Sequence, residues 1–162
     1  MQRKVKALIE VVLIEPEIPA NTGNIIRTCS CTGSNLHLVR PLGFTMEEKH
    51  LRRAGLDYRD IANINYYDSF EEVEEKFKDL SFYLFTTKGK KYFDEVKYTS
   101  HAVLVFGKET RGISHDILER RKDDLIRIPM LDREGVRCLN LSNSVAVAVY
   151  ETLKQQHYPN FH

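Results

Sequence analysis

Residues Ala7 to Ile14, ALIEVVLI, form a nearly continuous apolar run rich in β-branched side chains. A half-exposed strand alternates apolar and polar residues; this run does not, so it reads as a strand buried on both faces. Such a strand belongs to a parallel sheet with a helical layer on each side. The remaining chain supplies the parts. Leu36 to Val39, Ile61 to Tyr66, Ser81 to Thr86, Ala102 to Phe106 and Leu125 to Ile128 read as further strands. Helices alternate with them. The first runs from a cap at Asn21 or Thr22 to near Gly33, and a short one spans Glu47 to Ala54. An amphipathic helix from Ser69 to Lys78 carries Phe70, Val73 and Phe77 on one stripe, and another follows Ser114 to about Lys122. The last, from Val145 to Leu153, is apolar on most faces, with Ser142 or Asn143 as its cap. Strands alternating with helices predict an α/β fold.

The length of 162 residues suits one such domain, residues 1–162, with a sizeable core. A formal net charge of +1 excludes a strongly basic nucleic-acid binder, so an anionic partner must be met by local clusters. Cys29, Cys31 and Cys138 are an odd set without disulfide-framework spacing, which reads as reduced thiols in a cytosolic protein. No apolar run reaches membrane-spanning length, and Met1-Gln2-Arg3-Lys4 is not followed by a signal-peptide core. No membrane association and no metal are expected.

Three loops follow strands, and ligands of parallel sheets bind beyond the carboxyl ends of strands. The first holds Asn21, Gly23, Asn24 and, one turn on, Arg27. The second is Phe106-Gly107-Lys108-Glu109-Thr110-Arg111-Gly112. It lacks both the GxGxxG spacing and the GK[ST] ending of phosphate cradles, which argues against an ordinary dinucleotide or nucleoside-triphosphate fold. Taken alone it reads as a tight turn. The third runs from Ile128-Pro129-Met130 through Asp132-Arg133-Glu134-Gly135 to Arg137-Cys138-Leu139-Asn140-Leu141-Ser142-Asn143-Ser144, and presents backbone N–H groups at the start of a buried helix.

Together, Asn21-Thr22-Gly23-Asn24-Ile25-Ile26-Arg27, Val105 to Gly112, and Ile128-Pro129-Met130 with Leu139 to Ser144 resemble, in order and spacing, the three motifs of the SPOUT class of RNA methyltransferases. Glu15-Pro16-Glu17-Ile18-Pro19 and Leu51-Arg52-Arg53-Ala54-Gly55-Leu56-Asp57-Tyr58 resemble the small bacterial 2′-O-ribose methyltransferases of the tRNA wobble nucleotide. The resemblance runs from about Leu8 to Tyr158. It implies a Rossmann-like parallel sheet with a deep C-terminal trefoil knot, a topology that sequence physics alone would not propose. It further implies S-adenosylmethionine bound in the knot, S-adenosylhomocysteine as product, tRNA as partner, and a cytoplasmic homodimer joined through the first and last helices.

By match to the family, Phe85, Thr86, Gly107, Ile128, Cys138 and Leu139 line the cofactor pocket, Gly107 because a side chain there would occupy ligand volume. Arg27, Asn140 and Cys138 are the catalytic set. Guanidinium groups keep their protons, so the arginine suits a phosphate or alkoxide anchor better than a general base. Asn140 orients the 2′-hydroxyl or the cofactor, or caps the last helix. Cys138 stands where related enzymes often carry serine, which weakens any hydrogen-bonding role. Tyr150 either reaches the active site or packs in the dimer. Arg52, Arg53, Arg111 and Arg137 are candidate RNA contacts, with Lys88, Lys90 and Lys91. The alternatives are a different tRNA ribose, ribosomal RNA, or a non-catalytic knotted RNA-binding factor.

Overall fold

The computed structural model describes residues 8–47, 64–135 and 138–162. Among them, seven strands form one sheet in the order β3-β2-β1-β6-β4-β7-β5, every pairing parallel. The strands are β1 (Leu8–Ile14), β2 (Asn35–Val39), β3 (Ile64–Tyr67), β4 (Ser81–Phe85), β5 (Lys91–Tyr92), β6 (His101–Phe106) and β7 (Leu125–Arg127). The helices are α1 (Pro19–Thr32), α2 (Phe70–Lys76), α3 (His115–Arg120) and α4 (Leu141–Gln155). The helix expected from Glu47 to Ala54 falls, beyond Glu47, outside the described residues, as do Arg52, Arg53 and Arg137.

β1 sits near the centre between β2 and β6, and Ile9 to Ile14 are all buried, which is why its sequence does not alternate. Ile9, Val11 and Leu13 pack under α1 and α4 with Ile25, Ile26, Val145 and Val149. Val12 and Ile14 face the other layer, with Phe70, Val73, Ile113 and Ile117. One member of the run is not apolar. Glu10 lies between two histidines, with His37 Nε2 at 2.6 Å and His101 Nε2 at 3.1 Å from its carboxylate oxygens. Asn35 Nδ2 donates to it as well, at 3.0 Å. Burial raises the Glu10 pKa, but the bonds from His37, Asn35 and His101 outweigh that and hold it at about 2.

Several boundaries differ from the sequence reading. α1 begins at Pro19, with Ile18 in the capping position, so Asn21 and Thr22 are buried residues of its first turn rather than caps. Proline at the first helical position needs no N–H partner and starts the helix there. α4 begins at Leu141, capped by Asn140 and not by Ser142 or Asn143. α2 starts as expected, with the Ser69 hydroxyl accepting from the Glu72 N–H. Part of the basic turn, Lys91, belongs to the short edge strand β5, which the sequence reading lacked. After it, the connection to β6 is fastened to the end of α4. The Tyr98 N–H donates to Gln155 Oε1 at 3.0 Å, and Gln155 Nε2 donates to the Val96 carbonyl at 2.9 Å.

Candidate active site

All seven strands point the same way, so their carboxyl ends form one edge, and the three loops meet there. The second loop turns back on itself. The Gly112 N–H donates to the Lys108 carbonyl at 2.8 Å, and Gly112 adopts a left-handed φ of 67° that favours glycine. A Cβ on Gly107 would lie 2.1 Å from the Gly112 carbonyl carbon and 2.2 Å from the Ile113 nitrogen. The chain's own backbone therefore already requires glycine at this position.

The tight turn aims Glu109 and Thr110 at the first loop. The Glu109 carboxylate accepts from the Glu17 N–H at 2.8 Å and the Ile18 N–H at 3.1 Å, at the positive end of α1. It also accepts from Asn21 Nδ2 at 3.4 Å. Glu17 reciprocates, accepting from the Thr110 hydroxyl at 2.7 Å and the Thr110 N–H at 3.1 Å. Those bonds hold the Glu17 carboxyl below the usual carboxylate range. The third loop joins through Asn140, whose Nδ2 donates to Asn21 Oδ1 at 3.0 Å. Asn140 Oδ1 accepts from the Ser142 N–H at 2.9 Å and the Ser142 hydroxyl at 2.6 Å, closing the start of α4. One chain of hydrogen bonds thus runs Asn140–Asn21–Glu109 across all three loops. From the sequence, Asn21 is expected only as a helix cap, and Glu17 and Glu109 lie within motifs without a role of their own. The signal was Pro19, which places the start of α1 beside Glu17 and leaves N–H groups there for a carboxylate to collect.

Around this frame lie the residues expected to hold a cofactor. Phe85 is buried at the end of β4, its ring stacked on Phe106 at 4.6 Å and 11°. Thr86 follows, its N–H donating to the Ile126 carbonyl at 2.9 Å. Ile128 is half-buried beyond β7, while Cys138 and Leu139 are exposed. Leu139, 39% exposed, and Leu131, 70% exposed, leave apolar surface open at this edge. A buried aromatic floor, backbone groups of strand ends and an open apolar rim fit an adenosine-bearing ligand.

Arg27 lies on the exposed flank of α1, six residues and about 9 Å along the axis from Asn21. Arg111 is exposed at the tip of the second loop. Lys88, Lys90 and Lys91 are exposed around β5. Tyr150, 45% exposed, and Val147, 37% exposed, lie with the exposed Asn143 and Lys154 on the outer flank of α4, whose opposite face buries Val145, Ala148, Val149, Thr152 and Leu153. Within the single chain the last helix is thus buried on one side and open on another. Cys29 is buried in α1, and burial pushes its thiol up to about 12, so it is inert. Among the described residues no group of three or more histidine, cysteine, aspartate or glutamate side chains is placed to hold a metal ion. No helix among them is long and apolar enough to cross a membrane.

Residues 8–150 match the model of the SpoU rRNA Methylase family. The chain belongs to this family. The matched span contains every strand and all three loops. Within the SpoU family the chain is 49% identical, over 159 residues, to the tRNA (cytidine(34)-2′-O)-methyltransferase of Photorhabdus asymbiotica, covering 93% of this chain and 96% of that protein. A solved structure described as giving insight into the 2-OH methylation of nucleotide 34 (C or U) on tRNA superposes with a TM-score of 0.85 at 37% identity, covering 94% of this chain and 98% of that one. The SpoU methyltransferase AviRb of Streptomyces viridochromogenes, solved with the cofactor AdoMet, shares the fold with a TM-score of 0.80 at 20% identity, over 96% of this chain and 60% of that one.

Proposed function

We propose that this chain is an S-adenosylmethionine-dependent methyltransferase that acts on the ribose 2′-oxygen of nucleotide 34 of tRNA, a cytidine or modified uridine. The observation that carries the reading is the Asn140–Asn21–Glu109 chain of bonds, which builds one site from three separate loops at the carboxyl edge. Its support is the near full-length likeness to nucleotide-34 enzymes.

When bound, S-adenosylmethionine supplies a methyl group already activated by the sulfonium. The protein's task is then to seat that group, bring the ribose oxygen in line at roughly 3–3.5 Å, and accommodate the proton released. Phe85, Thr86, Gly107, Ile128, Cys138 and Leu139 form the seat, and Cys138 serves as a small filler, since a thiol donates poorly. Asn140 spends its oxygen on the cap and one Nδ2 hydrogen on Asn21, leaving the second hydrogen for the ribose oxygen. Arg27 is the anchor for a phosphate or for developing negative charge, and Arg111 contacts RNA. Arg52, Arg53 and Arg137 belong to the same proposal, although they lie outside the described residues.

The proposal includes residues 1–162 as one domain and the family's deep knot, supported by the match to the SpoU family and the shared fold of its solved members. It also includes a homodimer through α1 and α4, supported by the exposed Val147 and Tyr150, and a cytoplasmic setting, where tRNA is found. The family description names ribosomal RNA, which keeps that substrate as the second reading. Purified protein incubated with S-adenosylmethionine and, in parallel reactions, bulk tRNA or ribosomal RNA should add 2′-O-methylcytidine or a 2′-O-methylated uridine to the tRNA on nucleoside mass spectrometry. Methyl groups formed only on ribosomal RNA would select the second reading, and no methylated ribose on either RNA would reject both.

A further inference from the structure

A cleft of about 540 Å³ opens at the carboxyl ends of β2 and β3, lined by Arg40, Pro41, Leu42, Phe44 and Asp68. Its volume lies in the small-ligand range of about 300–1,000 Å³. It is built into the same edge as the three loops. The Arg40 N–H donates to the Tyr67 carbonyl at 2.8 Å, and the Gly43 N–H donates to the Pro16 carbonyl at 2.9 Å. The cleft wall is thereby tied to the Glu15–Glu17 turn that Thr110 and Glu109 clasp. β2 and β6 are separated only by β1, so their axes lie about 10 Å apart and the cleft shares the edge from which the second loop leaves.

The polar groups at its mouth select a ligand. Tyr66 stands beside the cleft and outside its lining: the Arg40 guanidinium lies 5.0 Å from the centroid of its ring, and the residue is 39% exposed. Asp68 Oδ1 accepts from Arg40 at 3.2 Å and is itself open to solvent. A flat cation on an aromatic ring is a stacking platform for a nucleobase. A phosphate would meet the Asp68 carboxylate and be repelled. A base with an exocyclic amino group would instead find an acceptor there, as carboxylates accept from the amino group of cytosine.

We propose that this cleft holds an unpaired amino-bearing base of the substrate RNA, neighbouring the nucleotide that is modified. Arg40, backed by the Tyr66 ring, stacks it, and Asp68 reads its amino group. The proposal rests on the RNA-methyltransferase reading above. It is tested by fluorescence anisotropy with a labelled anticodon stem-loop RNA, using the intact protein and its Arg40→Ala, Tyr66→Ala and Asp68→Ala variants. All three side chains are substantially exposed, so the variants should fold, which circular dichroism checks. Arg40→Ala and Tyr66→Ala should each weaken RNA binding by about 5- to 100-fold, the range for one stacked base. Calorimetric affinity for S-adenosylmethionine should not change. Asp68→Ala should weaken binding and cancel the penalty that wild type shows when one loop base is replaced by uridine. Binding within twofold of wild type for Tyr66→Ala, or tighter binding for Asp68→Ala, would overturn the proposal, the latter in favour of a phosphate. If wild type methylates tRNA ribose while either result holds, only the cleft fails. If wild type neither binds nor methylates tRNA, the functional reading fails with it.

Discussion

Asn140 caps α4 and also ties the third loop to the first, and two substitutions separate these tasks. Asn140→Ala removes the oxygen that accepts from the Ser142 N–H and hydroxyl, and the amide that donates to Asn21. A lost N-cap costs about 1 kcal/mol, and the lost bond to Asn21 about as much again, so the expected loss is about 2 kcal/mol. Asn140→Asp keeps a cap, and its charge is favourable at a helix N-terminus, so its stability should stay within about 1 kcal/mol of wild type. It nevertheless breaks the site. Asn21 Oδ1 would face a carboxylate; if the amide turned over to donate, its oxygen would face the Glu109 carboxylate instead. No orientation of Asn21 satisfies both neighbours. Urea denaturation at neutral pH measures the first quantity, and single-turnover methylation of tRNA the second. Asn140→Asp should be stable and slow. If it methylates at the wild-type rate, Asn140 is a helix cap only and the joined-loop account of the site is wrong.

Other substitutions probe neighbouring parts of the account. Gly107→Ala places a Cβ against the Gly112–Ile113 backbone and should cost at least about 1–3 kcal/mol in urea denaturation, while wild-type stability would contradict the packing described. Glu10 has a folded pKa of about 2 against its ordinary 4.5, so its contribution is fully present above about 4.5 and is lost as pH falls toward 2. Glu10→Gln should therefore lose up to roughly 3 kcal/mol at neutral pH and show a flatter acid limb between those values; a limb as steep as wild type would contradict this. Arg27→Ala should slow methylation by about 10²–10³-fold, and Arg27→Lys less, because lysine keeps the charge but not the fork. A lysine variant that overtakes wild type at alkaline pH would make Arg27 a base rather than an anchor.

The physics of burial made most of the fold legible. A doubly buried strand must lack alternation, and residues 8–14 show that pattern in sequence and in structure. Helix starts were less legible because their partners are remote. Asn21 reads as a cap only while the helix is taken to start at the polar cluster. The group that collects N–H groups ahead of α1 is Glu109, 91 residues from Ile18, and no local pattern reports it. Asn140 and Ser142 compete on equal propensity for one capping position, and the bond to Asn21, 119 residues away, goes with Asn140. The two-residue strand β5 carries too short a pattern to distinguish it from a turn. Glu10 is hidden for another reason: its partners His37 and His101 lie on neighbouring strands, so the polar cluster exists only once the sheet is assembled.

The central claim, that the acceptor is the ribose oxygen of nucleotide 34, is tested most directly by removing that one atom. A tRNA carrying a single 2′-deoxy nucleotide at position 34 is compared with the unmodified tRNA, and methyl transfer from radiolabelled S-adenosylmethionine is measured for each with the same enzyme. The account predicts transfer to the unmodified tRNA and none to the deoxy form, with both binding the protein equally well. Undiminished transfer to the deoxy form would contradict it and place the methyl group elsewhere on the RNA.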